Sequence, residues 1–156
     1  MSTMYVNKVQ ELNVGSGVQI PGHVVQIQTA TGTEVQSDYS SSQNVITGTI
    51  TPKYANSKIA VWVNTQTHVD SAGSYWNLSL YENGSSVRIV HGALGYPAAA
   101  YPGGTRTNTG THIVRTPNTT SQITYTLNVT RSSGSGNTLR VNYNGTGDLI
   151  MMEIAQ

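Results

Sequence analysis

Apolar and polar residues alternate with a period of two through much of this chain. In "KIAVWVNTQT", Ile59, Val61 and Val63 fall on one face, and Ala60, Trp62 and Asn64 on the other. In "YWNLSLYENG", Trp76, Leu78 and Leu80 share a face opposite Tyr75, Asn77, Ser79 and Tyr81, and the run stops at Asn83-Gly84. "QITYTLNVTR" sets Ile123, Tyr125, Leu127 and Val129 against Thr124, Thr126, Asn128 and Thr130. Successive side chains of a strand point to opposite faces, so this spacing predicts strands with one dry and one wet side, as in antiparallel sheets. Asn-Gly suits a type I′ turn, so "SSVRIVHG" is predicted to return beside the strand before it.

Further strand-like runs are "MYVNKVQ", "HVVQIQT", "NVITGTITP", "THIVRT", "TLRVNYN" and "LIMMEI". Clusters such as Gly15-Ser16-Gly17, Ser40-Ser41-Ser42, Ser132-Ser133-Gly134 and Asn144-Gly145 separate them. Nine or ten short strands with no helix between them predict an all-β fold. The reading is a jelly-roll-like antiparallel β-sandwich of eight strands with an extended N-terminal arm. An immunoglobulin-like sandwich is the alternative, without its usual Cys pair. Residues 1–20 are assigned to the arm and 21–156 to one sandwich domain. The longest irregular stretch runs from Gly92 to Gly110, and loops of that length tend to be functional.

The final run, "DLIMMEIAQ", is the most apolar of all. Its two alternating sets are Leu149, Met151 and Glu153, and Ile150, Met152 and Ile154. Both are largely apolar, which predicts a strand covered on both faces. Ile150, Met152 and Ile154 are expected in the protomer core, and Leu149 and Met151 at a contact between subunits.

Composition agrees with a covered exterior. Charged residues are 10% of the chain, against roughly 25% in ordinary soluble domains. A net charge of +1 gives no reason to expect nucleic acid or an anionic membrane as partner. The absence of Cys excludes thiol catalysis and disulfides. No apolar run approaches the ~20 residues that span a bilayer, and no basic-then-apolar leader opens the sequence. Burial of apolar faces about a threefold axis, at about 25 cal/mol per Å², favours a homotrimer.

Candidate chemistry is thin. His68 and Asp70 would share a strand face, with His91 or His112 as a third metal ligand if the sheet brought one near; His23 completes the set. The seven acids are scattered, against the paired carboxylates of a glycosidase. Neither a G-x-S-x-G elbow nor a P-loop occurs. Asn-x-Ser/Thr triplets at Asn77, Asn83, Asn118, Asn128 and Asn144 are read as a product of composition. No enzyme activity, cofactor or metal is expected. Tyr96, Tyr101 and Arg106, in the long irregular stretch, form a candidate recognition loop for sugar or protein.

The opening "MYVNKVQ…GSGVQIPGHVVQIQ", the middle "GTITPKYANSKIAVWVNTQ" and the close "DLIMMEIAQ" resemble small virion proteins of tailed bacteriophages. That group is similar to tail-fibre tips and is frequent among phages of aquatic bacteria and cyanobacteria. Its features have counterparts at Val6–Gln10, Pro21–Gln26, Ile50–Val61 and Met151–Ala155. The resemblance implies a non-enzymatic, trimeric protein on the virion surface, made in the cytoplasm of the host bacterium. Its arm, with Tyr5, Val6, Asn7, Val9 and Gln10, would dock on other virion proteins, and its outward loops on a host surface glycan. A capsid decoration (cement) protein is the alternative role, and a soluble sugar-binding lectin the second.

Overall fold

The computed structural model describes residues 20–37, 42–69, 75–95, 105–133 and 139–156. These form ten strands: β1 (Val24–Gly32), β2 (Val35–Ser37), β3 (Gln43–Ile50), β4 (Lys58–Val69), β5 (Tyr75–Glu82), β6 (Ser85–Gly95), β7 (Thr105–Arg115), β8 (Ile123–Ser133), β9 (Leu139–Val141) and β10 (Gly147–Ile154). One layer has the order β3-β8-β5-β6. In the other, β7 runs along one edge of β4 from Ile59 to Val69. The opposite edge of β4 is shared, by β10 over Lys58–Asn64 and by β9 over Thr67–Val69. In the same way β1 flanks β10, and β2 flanks β9.

The first layer is therefore four ribbons wide, β1-β10-β4-β7, with its two leading ribbons interrupted partway. All these pairings are antiparallel. As the chain proceeds it passes repeatedly between the layers, which is the double Greek-key winding of a jelly roll. The expected sandwich is present. The hairpin predicted at Asn83-Gly84 is also present: both residues have positive φ, 47° and 82°, and Glu82 pairs with Ser85.

The core is the sum of the inward alternating sets. Ile59, Val61 and Val63 from β4 meet Trp76, Leu78 and Leu80 from β5 and Ile123, Tyr125, Leu127 and Val129 from β8. At one rim, Glu82 of the second layer accepts a hydrogen bond from Tyr125 Oη at 2.9 Å and one from Arg115 Nε, on β7 of the first layer, at 3.1 Å. Burial, with the Glu82 carboxylate beside it, pushes the Tyr125 phenol far above its ordinary pKa.

Two expectations are corrected. The stretch from Gly92 to Gly110 is less irregular than its pattern indicates: β6 continues to Gly95, and β7 starts at Thr105. Thr105–Gly110 is strand because its backbone completes the ladder to Asn64–Val69, whatever its weak apolar alternation. The second correction reverses the phase of β10. Leu149 and Met151 are 0% and 1% exposed, inside the protomer core, while Ile150 is 36% exposed on the outer face. Register fixes this, because Leu149 and Met151 stand beside Val63 and Val61, which face inward. Leu149 and Met151 are therefore not available to another subunit.

The inward set also carries Glu153 into a fully buried position. Its carboxylate accepts from Lys53 N at 2.9 Å, Tyr54 N at 3.1 Å and Gln26 Nε2 at 2.6 Å. Burial alone would raise this pKa; the hydrogen bonds, led by the Lys53 amide, outweigh it and hold the carboxyl below its ordinary value. A depressed folded-state pKa contributes stability above the unfolded value, and that contribution is lost as pH falls through the folded one. Glu153→Gln is accordingly expected to cost about 2 kcal/mol at neutral pH. Its melting temperature should converge with that of the unmodified protein below about pH 4, in thermal melts followed across pH.

Candidate functional site

The outward side of the first layer divides into an apolar half and a polar half. In the apolar half, Ile150, Met152 and Ile154 of β10 lie between β1 and β4. Met152 stands beside Ile27 on one side and Ala60 on the other, and Ala60 beside Val114. Ile150 stands beside Trp62, and Ile154 beside Val24. Ile27 and Val114 are 53% and 55% exposed. Val24 and Trp62 are exposed as well. Lys58 and His112 mark the border. An apolar surface crossing four ribbons is unlike the scattered single residues of an ordinary exterior.

The polar half is built around the interruption of the inner ribbon. Between Val141 and Gly147 the chain leaves the sheet, although Asn142 N still donates to Gln66 O at 2.7 Å. Asn142 has φ 61°, a conformation that Asn tolerates better than most residues. Its buried side chain ties three ribbons together. Nδ2 donates to the carbonyls of Gly32 at 3.1 Å and Thr33 at 3.0 Å, and Oδ1 accepts from Thr65 Oγ1 at 2.6 Å. Gly32 and Gly147 face each other across the ladder beside it. A Cβ on Gly147 would overlap Asn142 Oδ1, and one on Gly32 would overlap Val45 O. Both positions need glycine to let this amide in.

Hung from Asn142, residues 143–146 loop outward and wall a pocket of about 300 Å³ with Asn64, Gln66 and Asn108. The turn is pinned by Gly145 N to Asn142 O at 3.0 Å and by Asn144 N to Glu34 Oε2 at 3.1 Å. Gln66 Nε2 donates to Asn108 Oδ1 at 3.2 Å across the floor. At one end His68 stacks on Tyr143 with ring centroids 4.3 Å apart. The guanidinium carbons of Arg106 and Arg140 lie 4.6 and 5.4 Å from the centre of the same ring. Arg140 is paired with Glu34 at 3.5 Å.

Of the residues singled out by sequence, only some fall here. Arg106 lies on β7 beside His68, in the sheet and not in a loop. Tyr96 and Tyr101 lie outside the described residues, as do Tyr5, Val6, Asn7, Val9 and Gln10 of the arm, and Asp70. His68 and His112 are not brought together: they point from the same strand pairing six residues apart, roughly 20 Å. Among the described residues no group of three His, Cys, Asp or Glu could hold a metal ion, and no helix is long and apolar enough to cross a membrane. Sequence reasoning passed over Trp62, a large apolar side chain in the wet phase of its strand, and the Asn-rich "VNYNGTG" that makes the pocket wall.

No protein-family model matches this chain, and no curated protein matches it. Solved structures do. The chain is similar to VP2 of infectious bursal disease virus in derived T=1 particles, with a TM-score of 0.52 and 16% identity, over 96% of this chain and 41% of VP2. It is similar to the same virus's T13 particle protein, with a TM-score of 0.51 and 17% identity, over 95% of this chain and 40% of that one. It is also similar to latent PorU of Porphyromonas gingivalis, with a TM-score of 0.54 and 10% identity, over 92% of this chain and 14% of PorU. The chain thus spans about two fifths of the viral proteins it matches. At these identities the shared property is the β-sandwich itself.

Proposed function

We propose that this protein is a non-enzymatic structural component of a virus particle, a jelly roll that associates with copies of itself through the apolar half of its first layer. The observation that carries the reading is that exposed face, with Ile27, Trp62, Val114 and Ile150 at its centre. It is free of charge across its middle, so two such faces can meet without desolvating an ion. Contact between copies then replaces the interface first expected at Leu149 and Met151.

Between the two virion roles, likeness to a protein described in T=1 particles favours the capsid over a fibre tip. We therefore place the protein on the head, as a decoration or shell subunit made in the host cytoplasm, three copies to an assembly. Residues 1–20 serve as the arm that docks on neighbouring virion proteins.

Light scattering tests the central step. The unmodified chain is expected at the mass of three copies at micromolar concentration. Ile150→Glu combined with Trp62→Gln should give monomers with a melting temperature within about 3 °C of the original. Deleting residues 2–20 should leave the folded multimer but abolish attachment to purified particles. A monomeric unmodified protein would rule out the apolar face as a self-contact. A truncated protein that alone becomes monomeric would assign that face to the arm.

A further inference from the structure

We propose that the pocket walled by residues 143–146 is a binding site for an acidic sugar, a saccharide unit bearing a carboxylate. The inference is independent of what the apolar half of the sheet contacts.

The pocket has the chemistry of a polyol site. Its accessible side chains include the amides of Asn64, Gln66, Asn108 and Asn144 and the hydroxyl of Thr146, with no acid and no aliphatic side chain among its lining residues. A carboxamide offers a donor and an acceptor side by side, which matches neighbouring hydroxyls, each of which both donates and accepts. The bond between Gln66 Nε2 and Asn108 Oδ1 orients both amides and leaves Gln66 Oε1 to accept and Asn108 Nδ2 to donate. A volume of about 300 Å³ is at the small end of ligand pockets, of the size that holds one sugar ring with water.

Charge comes from one end only. Arg106 is exposed, two residues from Asn108 on the same face of β7, and makes no ion pair among the described residues. Arg140 beside it is matched by Glu34, so the local balance is one positive charge. Tyr143 lies between the pocket and both guanidiniums and fixes their position through its ring. A carboxylate on the sugar would meet Arg106 in the two-pronged geometry that a guanidinium favours.

The site is also rigid before any ligand arrives. Its wall hangs from the three bonds of Asn142, and its floor is the continuous ladder of β4 and β7. Little ordering remains to oppose binding.

The test is titration of the full chain, by calorimetry and by chemical-shift mapping, with a panel of uronic-acid and nonulosonic-acid oligosaccharides and their methyl esters. Esterification keeps the ring and removes the charge. At least one acid is expected to bind, with its ester about tenfold weaker, and acetate alone should not compete. Arg106→Gln should abolish the preference for acid over ester, and Asn108→Ala should weaken both forms. The proposal is overturned if no member of the panel binds at millimolar concentration, if acetate competes equally, or if Arg106→Gln keeps the preference. Oligomeric state is read on the same samples. A monomer that binds sugar refutes only the assembly reading, and a trimer that binds none refutes only this one.

Discussion

Met151→Glu is expected to unfold this protein, not to divide an assembly of it. Met151 is 1% exposed and packs within the main core cluster. A carboxylate there loses its hydration with no amide cradle such as Glu153 has. It would also stand two residues from Glu153 on the same face, roughly 7 Å away, so each anion would oppose the other's ionisation. Loss of the thioether's burial adds to this, and the sum is about 5 kcal/mol, comparable with the whole stability of many domains. Urea unfolding followed by circular dichroism should find the variant unfolded or nearly so in buffer. A folded variant of reduced mass would instead return Met151 to a subunit contact. The neighbouring Ile150→Glu, one residue along and outward, should leave the fold intact.

The second large effect is expected from Asn142→Ala. The substitution strands the carbonyls of Gly32 and Thr33 and the hydroxyl of Thr65, which have lost their shared partner, and asks Ala to hold a left-handed conformation. About 3 to 4 kcal/mol should be lost, a fall in melting temperature of roughly 6–16 °C. Asn142→Gly separates the two causes. Glycine accepts the backbone but restores no bond, so it should recover about 1 kcal/mol of the loss. Equal melting of the two variants would show that the backbone contributes nothing. Both should lose the pocket wall together with the stability.

Much of the sandwich is legible in sequence, and the exceptions have physical causes. Ile59, Val61 and Val63, and Trp76, Leu78 and Leu80, alternate with polar or exposed neighbours, so their inward direction follows from pattern alone. The phase of β10 does not, because Ile150, Met152 and Ile154 are as apolar as the set that is buried. The acid that should have marked the wet face, Glu153, is held inside by amides contributed from residues about 100 positions away. No local rule reaches that far. The reading of "TLRVNYN" as one strand failed at Asn142, where a left-handed residue ends β9. Of the five Asn-x-Ser/Thr triplets, those at Asn83, Asn118 and Asn144 prove to be sites of positive φ. Their Asn is explained by backbone shape, as a composition-based account would have it. The candidate site was largely hidden for the same reason. Its parts come from β4, β7 and the turn after β9, and only tertiary pairing makes them neighbours.

The suspension of residues 143–146 from a single interior amide has an evolutionary consequence. Asn144, Gly145 and Thr146 are exposed, and Tyr143 is half-buried, so none is a member of the sandwich core. Substitutions there change which molecules are welcomed while the folding of the barrel-like scaffold is left alone, whereas Asn142, Gly32 and Gly147 have almost no freedom to drift. Lineages that diverge in taste should therefore vary at the tip and keep its anchor unchanged.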